Sequence, residues 1–428
     1  MGDSNSGSMR QAYWTLSALT AMNLLNYVDR YILAAVLAPV RDEFHLTNDE
    51  AGSLIATFFI SYAVFCPVMG WLGDRFTRKY LLAIGVGLWS LATFGSGLAR
   101  TSGEMHLARS LLGIGEASYA TLAPTLIADL FPTEKRNRAL TIFYLAIPIG
   151  ASLGYGLGGL VYELAGWRMA FFLVGLPGLV VAVATLALKE PKRGASEIVH
   201  SSAEPGSKPL RLHWRDYLQL AFNPSYVYNL LAMAAMTFAL GGLQAWVPTY
   251  LSEARGMDLG AANLWLAVVV ASSALAGTPM GGVLGDWLSP RYKGAYFWVS
   301  GLPMLIAVPF IALALGDIPR IPIFICIFIG LTLAVFNFGP SNAIIINVTT
   351  PGIRAAAFAI NTFLIHFLGD IPSPKLIGMV SDATHNPAWG LAITVPALLA
   401  SGVFFCLGAR HLDADQHAMV QRMRSGVP

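Results

Sequence analysis

Four ionisable residues interrupt stretches that are otherwise strongly apolar: Asp29 and Arg30 in one, Arg109 and Glu116 in another. A charge at the centre of a membrane helix costs at least ~2.5–3.5 kcal/mol on insertion scales, so each one needs a reason to be there. Arg109 and Glu116 are seven residues apart, which puts them on one helical face, two turns from each other. Asp29 and Arg30 are adjacent and do not share a face, so Arg30 is expected to point away from Asp29. A guanidinium grips phosphate or carboxylate bidentately and keeps its charge. A carboxylate beside it is pulled toward the neutral form by desolvation and toward the charged form by the arginine. Arrival of an anion would upset that balance and move a proton. The expectation is that Arg109 meets an anionic headgroup while Asp29 or Glu116 exchanges a proton. The plainer alternative is an ion-pair network that fixes two helices together.

A second set lies near the C-terminus. His366 and Asp370 are one helical turn apart, with Lys375 further along the same stretch. They read either as proton carriers or as packing hydrogen bonds. Asn337, Asn342, Asn347 and Gln244 add amides, which in membranes usually join helices. Phe58, Phe59, Met233, Met236, Phe238, Phe336 and Phe338 are candidates for an apolar wall. No nucleophile–base pair, phosphate-binding loop or metal-ligand spacing is visible, so an enzyme, a cofactor, a metal and ATP-driven pumping are not expected. Cys66, Cys326 and Cys406 all fall within apolar stretches, which argues against a disulfide framework.

The elements that carry these residues are membrane helices. Hydrophobic residues make up 55% of the 428 and charged ones 12%, about half the usual share, with a mean hydropathy of +0.60. Twelve spans of the ~20 residues that cross a bilayer are expected. They run over roughly 12–38, 50–73, 80–99, 104–128, 138–163, 167–188, 224–251, 260–285, 294–315, 321–348, 353–380 and 387–409. Pro148, Pro177, Pro279 and Pro309 sit inside spans, where neighbouring helices re-satisfy the freed backbone groups. Arg109 and Glu116 would lie about 7 and 18 Å below the outer end of the fourth span, and Asp29 and Arg30 roughly 15 Å deep in the first.

Placing both termini in the cytoplasm puts most of the 27 Lys and Arg on that side, leaving Arg41, Arg100, Arg168, Arg255 and Arg320 outside, as the positive-inside rule asks. The first apolar run lacks a convincing cleavage site and is expected to stay as a helix. The net charge of +3 gives no reason to invoke nucleic acid. From about 189 to 208 the chain is polar and rich in Pro, Gly and Ser, which reads as a tether. His213–Leu220 then mixes aromatics with charge, as an interfacial amphipathic helix would.

One phrase occurs twice, about half a chain apart: Gly70-Trp71-Leu72-Gly73-Asp74-Arg75-Phe76-Thr77-Arg78-Lys79, and Gly282-Val283-Leu284-Gly285-Asp286. A repeat at half length in so apolar a chain predicts two similar bundles in tandem. The first copy resembles the signature loop of the major facilitator superfamily, with Thr77 where Gly is usual. Arg109-x-x-x-Gly113-x-Gly115-x-Ala117, the run Pro148, Gly150, Gly154 and Gly158, and Glu190-Pro191-Lys192-Arg193 resemble three further signatures of that superfamily. Asn26-Tyr27-Val28-Asp29-Arg30-Tyr31 and His366-Phe367-Leu368-Gly369-Asp370-Ile371-Pro372-Ser373-Pro374 resemble its spinster-type transporters, whose animal members move lysophospholipids or sphingosine-1-phosphate. Short tails suggest a bacterial member.

The resemblance implies an all-α membrane protein of twelve helices in two six-helix bundles, 1–188 and 224–410. A linker over 189–223 and a cytoplasmic tail over 411–428 complete it. It implies alternating access that moves an amphipathic anionic lipid, with proton coupling, in a monomer of the bacterial inner membrane. Rival readings are a carrier of small organic anions, sugar phosphates or drugs, and a non-transporting receptor. Gly70, Asp74, Arg75, Arg78, Asp129 and Asp286 are expected to form a cytoplasmic gate. In it, Asp74 faces a helix N-terminus of the other half and Arg75 and Arg78 pair with acids such as Asp129. The second copy has Trp287 where the first has Arg75, so its lock should be built differently.

Overall fold

The computed structural model describes residues 3–188, 190 and 219–425. All of its regular elements are helices. The tether and the amphipathic segment expected over 189–220 fall almost wholly outside the described residues. Contacts divide the rest into two units. One takes the described residues before 207 together with Met257–Ala267; the other takes the remainder.

The first unit contains α1 (Asp3–Ala35), α2 (Leu37–Glu43), α3 (Asn48–Arg75), α4 (Arg78–Leu98), α5 (Ser102–Leu130), α6 (Thr133–Ala165) and α7 (Trp167–Thr185). Thr47 starts α3 with a full capping box: its side chain accepts from the Glu50 backbone, and the Glu50 side chain accepts from the Thr47 N–H. That pairing satisfies donors a helix start otherwise leaves open. The helices pack α1 on α6, α3 on α5, and α4 on both α5 and α7. Small residues set how close they come. Gly150 and Gly154 lie on the face of α6 that meets α1, where an added Cβ would fall 2.7 Å from the Leu24 carbonyl and 2.7 Å from the Tyr31 Cβ. Gly113 on α5 likewise admits the Phe58 carbonyl of α3, 2.5 Å from where a Cβ would stand. One glycine signature therefore brings α6 onto the span that holds Asp29 and Arg30, and the other brings α5 onto α3.

The second unit contains α8 (Pro224–Glu253), most of α9 (Leu259–Leu288), α10 (Ala295–Leu315), α11 (Arg320–Ala334), α12 (Phe338–Val348), α13 (Pro351–Ile365), α14 (Pro372–Thr384), α15 (Pro387–Ala392), α16 (Thr394–Gly408) and α17 (Leu412–Ser425). A 3₁₀ turn at Val335–Asn337 joins α11 to α12, and a π turn at His366–Asp370 joins α13 to α14. The first residues of α9 belong with the first unit. There the Asn263 amide donates to the Ala35 carbonyl at 2.8 Å, and the Ser152 hydroxyl donates to the Ala267 carbonyl at 2.6 Å.

Among the described residues, ten helices are long and apolar enough to cross a membrane. Two expected spans lie outside that set. Span 12–38 is helical within α1 but carries Asn23, Asn26, Asp29 and Arg30, and span 353–380 is divided by the π turn. Pro148, Pro177, Pro279 and Pro309 all lie inside continuous helices.

Candidate functional site

The four charges of the first unit meet. Arg30 reaches across from α1 to α5, its Nη2 donating to Glu116 Oε2 at 2.7 Å and its Nε to the same oxygen at 3.3 Å. Arg30 and Asp29 part company as adjacent helical positions must. Asp29 is 2% exposed, Arg109 1% and Glu116 0%, whereas the Arg30 side chain keeps 13%. Arg30, and not Arg109, is thus the more accessible cation.

Aromatic rings surround it. The Arg30 guanidinium lies 4.9 Å from the Tyr27 ring centroid, 4.9 Å from Phe58, 5.8 Å from Phe59 and 5.2 Å from Tyr62. The Arg109 guanidinium lies 5.2 Å from Phe58 as well, so one ring serves both cations. Ring faces attract cations, more strongly where water is scarce. Phe58, Phe59 and Tyr62 all come from α3, held there by the close approach at Gly113. Of the aromatics suggested for an apolar wall, Phe58 and Phe59 occupy this place.

The group is incompletely paired. Asp29 Oδ1, Arg109 Nε and Nη1, and Glu116 Oε1 are buried without a hydrogen-bond partner. Glu116 and Asp29 both act electrostatically on Arg109. Two cations and two carboxylates share one buried place with a single formed ion pair. Such an arrangement can exchange partners or protons without a net change of charge.

In the second unit His366 Nδ1 lies 2.5 Å from Asp370 Oδ2, the two residues standing at the ends of the π turn. Gly241 of α8 faces the acid, an added Cβ there falling 2.4 Å from Asp370 Oδ1. Lys375 is exposed on α14. Asn337, in the 3₁₀ turn, is buried and donates to the sulfurs of Met236 at 3.0 Å and Met233 at 3.4 Å. Asn342 bonds within its own helix, to the Phe338 carbonyl.

The gate residues are partly assembled. Arg78 Nη2 meets Asp129 Oδ2 at 2.7 Å, the pairing expected, and Arg78 Nη1 donates to the Thr125 hydroxyl at 3.2 Å. Arg75 does not join an acid in this group; it stacks on Trp71, 3.8 Å from the ring centroid. Asp74 is exposed at the end of α3. Gly73 is the close-approach glycine, a Cβ there falling 2.2 Å from Leu122 Cδ2, while Gly70 has only an ordinary contact with Thr121. Asp286, in the second copy, accepts from the Tyr296 hydroxyl at 3.2 Å.

Glu190 was not expected here. Its carboxylate accepts from the backbone N–H of Arg78 at 3.0 Å and of Lys79 at 3.3 Å, and from Arg78 Nε at 3.4 Å. It caps the N-terminus of α4, where open donors and the helix dipole favour an anion. The signal was available: Glu190 is the acid of the Glu190–Arg193 signature.

On the extramembrane side of the same unit, Glu43 receives Arg168 Nη1 at 2.6 and 2.7 Å and Trp167 Nε1 at 2.6 Å. These donors, Arg168 first, hold the Glu43 carboxyl below its ordinary range.

Comparison with known proteins agrees with this geometry. Residues 19–374 match the model of the Major Facilitator Superfamily. The human protein spinster homolog 1 is 37% identical over 390 residues, covering 86% of this chain and 72% of its own. The mouse sphingosine-1-phosphate transporter SPNS2 is 34% identical over 439 residues, covering 96% and 79%. The Drosophila melanogaster protein spinster is 34% identical over 384 residues, and the match spans 62% of that longer protein. The fold is shared with a bacterial homologue of the human lysosomal transporter spinster, solved inward-facing and unoccupied: TM-score 0.80 at 22% identity, covering 96% of this chain and 98% of that one. A D-xylose–proton symporter gives a TM-score of 0.72 at 18% identity, covering 93% and 96%. The chain belongs to the spinster branch of the major facilitator superfamily, a family of multi-pass membrane transporters and not of enzymes.

Proposed function

We propose that this transporter moves an amphipathic anion with a lipid tail, coupled to protons, by alternating access in a monomer. The carrying observation is the Arg30–Glu116 pair, boxed by Tyr27, Phe58, Phe59 and Tyr62 and set beside Asp29 and Arg109, whose polar atoms are left partly unpaired. An anionic headgroup competes with Glu116 for Arg30, with Arg109 adding positive charge behind Phe58. Released from its partner, Glu116 or its neighbour Asp29 takes the proton. The rings accept the apolar part of the same molecule. That SPNS2 is named a sphingosine-1-phosphate transporter supports the substrate class.

His366 and Asp370 form a reserve proton site in the second unit, with Lys375 further along the same segment. Asp74, Arg75 and Asp286 belong to a cytoplasmic gate anchored by Arg78, Asp129 and Glu190. Both termini lie in the cytoplasm of a bacterial inner membrane, as the Lys and Arg distribution favours.

The test is uptake into proteoliposomes of 1-oleoyl lysophosphatidate, sphingosine-1-phosphate and glucose 6-phosphate, with and without a pH gradient. The lipids should move, faster with the gradient, and the sugar phosphate should not. At least one of Asp29→Asn and Glu116→Gln should lose gradient-driven accumulation yet keep exchange. If both still concentrate lipid, these carboxylates are structural and coupling moves to His366 and Asp370. Uptake of the sugar phosphate alone favours a small-anion carrier, and no uptake of any probe favours a receptor.

A further inference from the structure

Asn26 begins the segment that carries Asp29 and Arg30, and the transport reading gives it no task. It lies one turn before Arg30 on α1, so the two side chains share a helix face. Asn26 is 3% exposed and its Nδ2 has no hydrogen-bond partner, a costly state for a buried amide. Across from it on α5, Glu116 gives Oε2 to Arg30 while Oε1 is equally buried and unpartnered. The Asn26 amide and the Glu116 carboxyl act on each other as hydrogen-bonding side chains, yet short of a formed bond. A donor without an acceptor and an acceptor without a donor thus stand opposite each other, with Arg30 on the carboxyl's other oxygen.

We propose that Asn26 is the positioning residue of the exchange: when Arg30 turns from Glu116 to an anionic substrate, the Asn26 amide closes on Oε1 and holds the carboxyl in place until it is protonated. This rests on the proton-exchange reading of Arg30 and Glu116. An amide suits the task better than a second cation. Its N–H₂ donates to a carboxylate, its oxygen accepts from a carboxylic acid, and it serves both forms with no charge of its own. It therefore does not compete with Arg30 for the anion. The charged and titratable groups that act on this place are Arg30 and Asp29 from α1, Tyr62 and Cys66 from α3, and Arg109 from α5 itself. Asp29 leaves α1 on another face, and Arg109 Nε and Nη1 make no bond to Oε1.

Infrared titration of the reconstituted full chain tests this without any substrate. The protonated-carboxyl stretch of Glu116 is assigned as the band lost in Glu116→Gln. Arg30→Ala imitates the state in which Arg30 has left, so Asn26 should matter most there. In that background Asn26→Leu should raise the titration midpoint by about one pH unit, the size expected when a charged group loses a hydrogen bond. With Arg30 present the shift should be smaller, and Asn26→Gln, which keeps the amide, should restore most of it. Should Asn26→Leu fail to fold, Asn26→Ala makes the same comparison. Equal midpoints with and without the amide in the Arg30→Ala background overturn the proposal, as does a shift that Asn26→Gln leaves uncorrected. Retained gradient-driven uptake of 1-oleoyl lysophosphatidate in Glu116→Gln overturns this proposal, and the proton-exchange reading falls with it only when Asp29→Asn retains uptake as well. Lost coupling in Glu116→Gln together with equal midpoints overturns the Asn26 role alone.

Discussion

Replacing Arg30 by methionine puts the central ion pair to a quantitative test. The variant keeps an unbranched chain among Tyr27, Phe58, Phe59 and Tyr62 but removes the guanidinium that donates twice to Glu116 Oε2. Glu116 is 0% exposed, so its carboxylate cannot turn to water. Breaking a buried pair from one side costs about 3–5 kcal/mol. The loss has a ceiling, because the carboxyl can neutralise instead of remaining charged. At pH 7 an unfolded glutamate, titrating near ~4.3, is ionised; holding it protonated there costs about 1.36 kcal/mol for each of roughly 2.7 pH units, or ~3.7 kcal/mol.

The ceiling falls with pH, to about 1 kcal/mol at pH 5. The destabilisation of Arg30→Met should therefore grow as pH rises above the ordinary glutamate range and fade below it. Denaturant unfolding of the purified protein in detergent at the two pH values measures this. Arg30→Met/Glu116→Gln, which removes both charges, should recover to within about 1 kcal/mol of the parent at pH 7, since neutral replacement of a buried pair is often tolerated. A small, pH-independent loss in the single variant would refute the reasoning. It would mean that the unpartnered nitrogens of Arg109 take over the carboxylate.

Glu190→Gln should weaken the α4 N-terminus by about 0.3–1 kcal/mol, up to ~2 if the site is well shielded; faster hydrogen exchange at the Arg78 and Lys79 amides checks it, and unchanged rates refute it. Gly113→Val should destabilise by about 1–3 kcal/mol through overpacking against the Phe58 carbonyl, while Gly103→Ala, whose nearest neighbour would be 4.0 Å away, should be near neutral in the same unfolding assay. Glu43 is held below its usual range by Arg168 and Trp167, so its contribution is present above the unfolded glutamate pKa and lost as pH falls through the lowered folded value. The Glu43 side chain is 45% exposed, so solvent screening limits that contribution to under ~1 kcal/mol. Trp167 fluorescence should report the release only in acid well below pH 4.3, and the Glu43→Gln variant should lack that transition.

Periodicity and proline placement made the helices legible, because a span's length and apolarity are local properties. Seven-residue spacing was enough to put Arg109 and Glu116 on one face of α5. What spacing does not carry is the rotation of α1 against α5 or the reach of a long side chain. For that reason the sequence leads to Arg109 as the cation that meets an anionic headgroup and to Arg30 only as pointing away from Asp29, without showing that Arg30 meets Glu116. The aromatic box was half visible, with Phe58 and Phe59 among the candidates; Tyr62 was not, since its part depends on which face of α3 the glycine at position 113 admits. The π turn at His366 lay hidden because its effect is to restore, over five residues, the pairing that an ordinary turn already suggested for His366 and Asp370.

The two copies of the repeated phrase are held by different contacts. In each copy a tryptophan is followed four residues later by an arginine, and in each the arginine stacks on it: Arg75 at 3.8 Å from the Trp71 centroid, Arg291 at 4.5 Å from Trp287. Trp71 and Arg75 are four apart within α3, whereas Arg291 lies in the turn beyond α9 and Trp287 takes the place of Arg75 and not of Trp71, so the two contacts arise at different places in the phrase. The acids diverge because their partners come from other helices. Arg78 in the first copy ties α4 to Asp129 of α5 and to Glu190, whereas Asp286 in the second finds the hydroxyl of Tyr296 at the start of α10. A hydrogen bond from a phenol holds no charge in place, while Arg78 holds two carboxylates. The first unit therefore carries the ionic part of the gate, but Arg78 is 5% exposed and buried pairs are screened little, so raising ionic strength should leave the Arg78 contacts and the Tyr296–Asp286 contact both nearly unchanged.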